Sequence, residues 1–347
     1  MTNTGNSRSY RRQQRGITLI EIMVSLAISM FLLIGLLTVF SNSSKLNSDL
    51  NVSMQQIENG RFAIQALSDD IALAGFYDRL PAMLTAPSSL PDPCAFSDLN
   101  NVRSATALPV QGYNAPTSSP LSCIPAANHV ARTDILVVRR ADTSTTATGS
   151  LTASDVYLQT NANPNDSANP IIALGSAANF TLTEKNGSTV SPIRKYRTHI
   201  YYISPCSVPN GGGTTCTGAN DDGGSPIPTL KRLELRINPA TNALGMTQTS
   251  LVEGIEQLQF DYAVDTTGDG VPDGNYLVTT ASVPDWANVV AIRISVLARN
   301  LTQSSGYTDG TTYDLGVMGG WTPGGAYKRH VYNTVVRLVN PASRKEN

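Results

Sequence analysis

The sequence holds only three histidines, His129, His199 and His330, and they stand far apart with no ligand or nucleophile pattern around them. It contains no H-E-x-x-H, no G-x-S-x-G, no P-loop and no G-x-G-x-x-G. The local signatures of zinc hydrolases, serine hydrolases and nucleotide enzymes are therefore missing, and no enzymatic activity is expected. Charge is also sparse, 15% of 347 residues against 41% hydrophobic. Four arginines (Arg8, Arg11, Arg12, Arg15) crowd into the first 16 residues without an acid, which leaves 21 basic against 26 acidic residues beyond them. A net-acidic body offers no electrostatic footprint for nucleic acid, and none is expected as a partner. Cysteine is limited to four, with no C-x-x-C of the kind a structural zinc site needs. They fall as two local pairs, Cys94 with Cys123 and Cys206 with Cys216, each among Pro, Gly and Ser. That is the layout of loop-stapling disulfides in an exported protein, and local pairing is the preferred connectivity.

What is present in abundance is an apolar run. From Ile17 to Phe40 the sequence reads ITLIEIMVSLAISMFLLIGLLTVF, with one charge, Glu21. As a helix this is long enough to span a bilayer. The Arg-rich residues before it keep the N-terminus in the cytoplasm and send the rest of the chain across the membrane. No A-x-A-like cleavage site follows, so an ordinary secretory signal does not fit. An ionisable group in hydrocarbon costs about 2.5–3.5 kcal/mol at the helix centre. Glu21 either snorkels to the interface near the helix start, where the dipole favours negative charge, or awaits a positive partner from another chain.

The basic leader ending in Gly16, followed by an apolar helix with Glu at its fifth residue, resembles the prepilin signal of type IV pilins and type II secretion pseudopilins. The resemblance implies cleavage by a prepilin peptidase after Gly16, methylation of the new N-terminus at Ile17, and an assembly role for Glu21 in pairing with the N-terminal amine of a neighbouring subunit. Ile17 stands where most members have Phe. The stretch ENGRFAIQALSDDIALAGF, Glu58 to Phe76, and the two last β-like runs resemble PilW-type minor pilins, and less closely GspJ-type pseudopilins. PilW likeness implies a protein of the inner membrane, its C-terminal body periplasmic. It would join other minor pilins, the major pilin and the inner-membrane assembly machinery, help initiate the pilus, support twitching motility and remain near the tip, with a tip adhesin as a further partner. A GspJ-like pseudopilin is the alternative within the class. A membrane-tethered, calcium-dependent binding protein is the alternative outside it.

The expected fold is α+β and pilin-like: a long, partly transmembrane N-terminal helix packed on an antiparallel β-sheet body with disulfide-stapled loops. The expected divisions are a leader at 1–16, a hydrophobic helix at 17–40, its amphipathic continuation at 41–80 and a β-rich domain at 81–347. Helical spacing of apolar residues from Leu46 to Leu73 supports the continuation, with Gly75 as its C-cap. Residues 81–130 read as a stapled loop region. Strand patterns fall at 134–140, 155–159, 179–184, 196–203, 229–237, 255–264, 287–300 and 328–340. Leu233, Leu235 and Ile237 alternate there with Arg232, Glu234 and Arg236, which suggests one wet face. One further constellation stands out, DTTGDGVPD at 265–273. Asp265, Thr267, Asp269 and Asp273, with the carbonyl of Val271 and a turn at Gly270, follow the spacing of a Ca2+ loop. Two departures weaken the match, Thr267 in place of an acid and Tyr276 where a bidentate Glu would close the site. The same residues also suit a plain hairpin turn.

Overall fold

The computed structural model describes residues 16–80, 84–163, 170–238, 241–276 and 286–346. The leader, apart from Gly16, and the NYLVTT run beyond Tyr276 lie outside the described residues. Compact units divide the chain at Asn51 and Val52.

Helix α1 runs from Leu19 to Ala72. No proline interrupts it, and Gly75 (φ 69°) ends it, donating its N–H to the Arg139 carbonyl at 2.8 Å. The left-handed backbone there favours glycine, as the C-cap reading expected. In the first unit the helix is apolar and exposed: Leu19 is 77% and Phe31 79% accessible. It is long and apolar enough to cross a membrane. Two of its hydroxyls are satisfied internally, since Ser25 donates to the Glu21 carbonyl at 2.6 Å and Thr38 to that of Ile34 at 2.8 Å.

In the second unit, the last turns of α1 bury Ala63, Leu67 and Ile71 between two antiparallel sheets. The larger contains β1 (Val110–Tyr113), β2 (Ile135–Ala141), β3 (Val156–Gln159), β4 (Ile171–Leu174), β5 (Ile193–Ser204), β6 (Thr229–Asn238) and β7 (Ala243–Glu253). Its centre is β5, which pairs β2 on one side and both β3 and β6 on the other, while β7 extends the sheet beyond β6. The smaller sheet is β8 (Ile255–Val264), β9 (Val289–Arg299) and β12 (Arg329–Arg337), with β9 central. A two-stranded piece, β10 (Tyr313–Asp314) with β11 (Gly320–Trp321), sits in the connection between β9 and β12. Short helices α2 (Leu99–Ala105) and α3 (Val339–Lys345) complete the chain. The shared core draws Leu136, Val138 and Tyr201 from the first sheet and Phe260, Ile292, Ile294 and Val296 from the second.

Two of the sequence expectations fail for identifiable reasons. Residues 179–184 do not form a strand; they leave a 3-10 turn (Ala177–Asn179) and make a single backbone bridge, Thr183 to Val190, which the side chain of Gln159 braces. Its Nε2 donates to Leu182 O (3.1 Å) and Ser191 O (3.0 Å), and its Oε1 accepts from Leu182 N (3.0 Å). The run at 328–340 stops at Arg337 and turns into α3, with Pro341 in the first turn where no N–H is needed. The alternation expected in β6 is present, with Leu233 and Leu235 buried and Arg232, Glu234 and Arg236 half-buried. Asp70, near the end of α1, accepts from Arg140 Nε (2.7 Å), His199 Nδ1 (2.7 Å) and Tyr201 Oη (2.9 Å). His199 Nε2 lies 3.9 Å from Glu234, which also meets Arg232 at 3.1 Å. The polar face of β6 thus completes a buried network that fixes α1 to the sheet.

Candidate functional site

The chemistry of the N-terminal segment starts from a threonine. Thr18 precedes the helix, and its carbonyl accepts from Glu21 N and Ile22 N at 3.1 and 3.3 Å, which makes Thr18 the N-cap and Glu21 the third helical residue. The Glu21 carboxylate folds back to accept from Thr18 N at 2.9 Å and Thr18 Oγ1 at 3.0 Å, while Glu21 N donates to Thr18 Oγ1 at 3.4 Å. This is a capping box, in which two otherwise orphaned donors are satisfied reciprocally. The sequence signal is the T-x-x-E of Thr18 to Glu21, a cap within the chain rather than the interface or neighbouring-subunit partner expected for Glu21. Gly16 and Ile17, immediately upstream, are exposed, Ile17 to 74%, and nothing lies within 4 Å of the position a Gly16 side chain would take. The structure therefore brings together an accessible Gly16–Ile17 peptide bond, a threonine cap and the single carboxylate of the apolar helix. Cleavage of that bond would create an ammonium at Ile17, one residue from the cap and four from the carboxylate.

The loop at 265–273 is built differently from an open cation site. Asp265 is buried, and its Oδ1 accepts from Gly268 N (2.6 Å) and Thr267 Oγ1 (3.4 Å). Its Oδ2 accepts from Gly270 N (2.9 Å) and faces Lys345 Nζ of α3 at 3.2 Å. Desolvation pushes its pKa up, but those N–H groups and the Lys345 ammonium outweigh it and bring the carboxyl down to about 2. Asp273 Oδ2 accepts from Thr266 N (2.7 Å), Thr266 Oγ1 (2.9 Å) and Thr267 N (2.9 Å), and the Thr266 bonds lead in holding its pKa low. Asp269 accepts from Val271 N at 2.9 Å, and Val271 is exposed. Gly270 (φ 79°) lies against the Ala342 carbonyl and Glu346 of α3. The three carboxylates thus organise the turn by binding its own backbone. A cation entering at Asp265 would have to displace Lys345. Among the described residues, the group of three His, Cys, Asp or Glu ligand atoms within 4.8 Å of one another is Cys206, Cys216 and Asp221, and both of those sulfurs are joined in a disulfide.

Both cysteine pairs form: Cys94–Cys123 and Cys206–Cys216, with Cα separations of 5.5 and 5.9 Å. The second closes the 206–216 loop, which two aspartates just beyond it brace by accepting from its backbone. Asp221 accepts from Asn210, Thr217 and Gly218 N–H groups, and Asp222 from Ser207, Val208 and Ile227. Of the histidines, His199 is the buried partner of Asp70, and nothing in the sequence spacing linked those two.

Residues 215–340 match the sequence model described as type IV pilus-assembly protein W, and residues 11–37 match the prokaryotic N-terminal methylation motif. The first match spans β6 to β12 and includes the 265–273 loop, so it reaches further into the middle of the chain than the two last strand patterns. The second contains Gly16, Ile17, Thr18 and Glu21. The Glu58 to Phe76 stretch lies in neither. No curated protein matches the chain.

Proposed function

Because the chain belongs to the type IV pilus-assembly protein W family, we propose that it is a minor pilin that helps initiate pilus assembly and stays at or near the tip. The observation that carries this reading is the N-terminal constellation: an exposed Gly16–Ile17 bond, the Thr18–Glu21 capping box and an apolar, exposed helix behind it. A prepilin peptidase would cut after Gly16 and methylate Ile17 while α1 anchors the subunit in the inner membrane, with the body in the periplasm. In the free subunit Glu21 is satisfied by Thr18. In a filament its carboxylate would exchange that cap for the ammonium of a neighbouring Ile17, so the pair specifies register more than it adds stability. The partners of this reading are other minor pilins, the major pilin, the inner-membrane assembly machinery and a tip adhesin. Its role is structural, with no chemical step at the body.

Mass analysis of the mature N-terminus tests the reading directly. The expected product starts at methylated Ile17, and Glu21→Ala is expected to lose pilus assembly and twitching while the protein is still made and cleaved. Loss of enzyme secretion in place of twitching would assign the chain to type II secretion. Full assembly with Glu21→Ala would leave the helix as a mere tether.

We further propose that the 265–273 loop takes Ca2+ weakly, with Asp265, Asp269, Asp273, Thr267 and the Val271 carbonyl as donors, once Lys345 leaves Asp265. The support is the oxygen spacing; the opposing term is the Lys345 ammonium. Calorimetric titration of the full chain in detergent is expected to give heat that Asp269→Ala abolishes and Lys345→Met strengthens. Identical heats in all three proteins would remove the site.

A further inference from the structure

Edge strands expose a row of backbone N–H and C=O groups, and proteins usually guard them with charge, proline, bulges or brevity. Within the described residues the edges of the two sheets differ in this respect. β1 and β4 are four residues long. β12 carries Arg329, His330 and Arg337, and its Tyr332 ring packs on Gly60 of α1. β7 has one bulge, at Leu251 near its C-terminal end, and none of these guards before it. From Ala243 to Val252 it reads ALGMTQTSLV, without a charge or a proline, and β6 is its only strand partner among the described residues. The half of its backbone groups that point away from β6 meets no other strand. Ala243, Thr249 and Ser250 are exposed.

Beside this edge lies a cavity of 470 Å³, lined by Leu233 of β6, Met246 and Gln248 of β7, and Val208 and Thr214 of the loop after β5. Its walls are held in place covalently. Cys123, in disulfide with Cys94, stands on one side, and the Cys206–Cys216 loop on the other. Asn128 ties the two walls together, donating to Thr214 O at 2.8 Å and accepting from Cys216 N at 2.7 Å. Such a site loses little freedom on binding. No lining residue is ionisable, since Cys123 is held in a disulfide, so a charged side chain entering it would be left without a counter-charge.

We infer that the outer edge of β7 and this cavity form a docking site for an extended, uncharged strand of a different pilus subunit, added to the seven-stranded sheet with one apolar or neutral side chain seated in the cavity. Main-chain pairing would supply affinity and the cavity the choice of partner, the division of labour of strand-addition recognition. That the donor is a pilus subunit rests on the function proposed above; the open edge and the neutral cavity do not.

The test is a photo-crosslinking residue in place of Thr249 of the full-length chain in piliated cells, with the crosslinked peptide mapped by mass spectrometry. The expected product joins β7 to one strand-like, uncharged segment of another filament polypeptide. Ala243→Lys with Thr249-adjacent Ser250→Lys should lower its yield about tenfold. Val208→Trp, which narrows the cavity from its exposed rim without altering the strand, should lower it too, so that misfolding of the lysine variant alone does not decide the matter. Crosslinks only to a second copy, crosslinks to a charged or helical segment, no crosslink, or a yield indifferent to both variants would overturn the proposal. If Ile17 is the mature start and Glu21→Ala blocks assembly, any of those outcomes removes the docking site and leaves the pilin reading intact.

Discussion

Asp70 and His199 show how one buried ion pair can tie a helix to a sheet. Desolvation works against charge on both, but the His199 and Arg140 charges hold the Asp70 carboxyl well below its ordinary range, and Asp70 and Glu234 hold the His199 imidazolium above its own. Removing one partner from such a pair leaves the other uncompensated, so Asp70→Asn is expected to cost about 3–5 kcal/mol in urea unfolding followed by tryptophan fluorescence. The pH dependence follows from the directions of the two shifts. The Asp70 contribution is present above the unfolded value of 3.8 and is lost as pH falls through a lower folded value. The His199 contribution is complete below 6.5 and is lost as pH rises through a higher folded value. The body should therefore weaken as pH climbs above neutrality, and His199→Asn should flatten that part of the profile.

At the scale of elements, the second unit depends on close approach of α1 to β12. A Cβ at Gly60 would overlap the Tyr332 ring, so the usual helix gain of Gly→Ala, about 1 kcal/mol, is opposed by overpacking of about 1–3 kcal/mol. Gly60→Ala is expected to lower the unfolding midpoint, and Gly60→Ala combined with Tyr332→Ala to be less than additive, which a double-mutant cycle measures. The stapled segments behave differently. Opening the Cys94–Cys123 bridge by a double Ser substitution should cost about 2–4 kcal/mol, since Leu121 and Ile124 cover the sheet face of Ile135, Val137 and Ile200. In α3, Asn340 and Arg344 donate to the Ala74 and Gly75 carbonyls at 3.2 and 3.0 Å. Arg344→Ala is expected to loosen the chain after α1, seen as faster amide exchange there.

On the scale of the molecule, the apolar helix and the β body follow different rules. A single run of apolar residues, a basic leader and one glutamate are contiguous, so the membrane-length apolar helix, the Gly16–Ile17 step of the methylation motif and the lone Glu21 carboxylate were all accessible to periodicity and motif. The body was legible where strands carry long apolar-rich runs, buried almost throughout in β8 and β9, over most of β5, and alternately in the middle of β6. It was not legible at β4 or β7, nor at β1 and α2, which hide inside a segment rich in Pro, Ser and Asn that reads as loop. The Gln159 side chain that braces Leu182 left no trace in local pattern, because the two residues lie 23 positions apart.

The sequence by itself determined what is contiguous: a long N-terminal helix with Gly16, Ile17, Thr18 and Glu21 at its head, two local cysteine pairs and an antiparallel, β-rich remainder. Periodicity and spacing act over a few residues, so these features need no knowledge of the rest of the chain. Only the tertiary structure decided which distant residues meet. It gave Asp70 to His199 and Arg140, set Lys345 against Asp265 in the loop whose spacing suggests calcium, and left the edge of β7 open beside a neutral cavity. Those pairings are fixed by packing between elements far apart in the chain, where no local rule reaches.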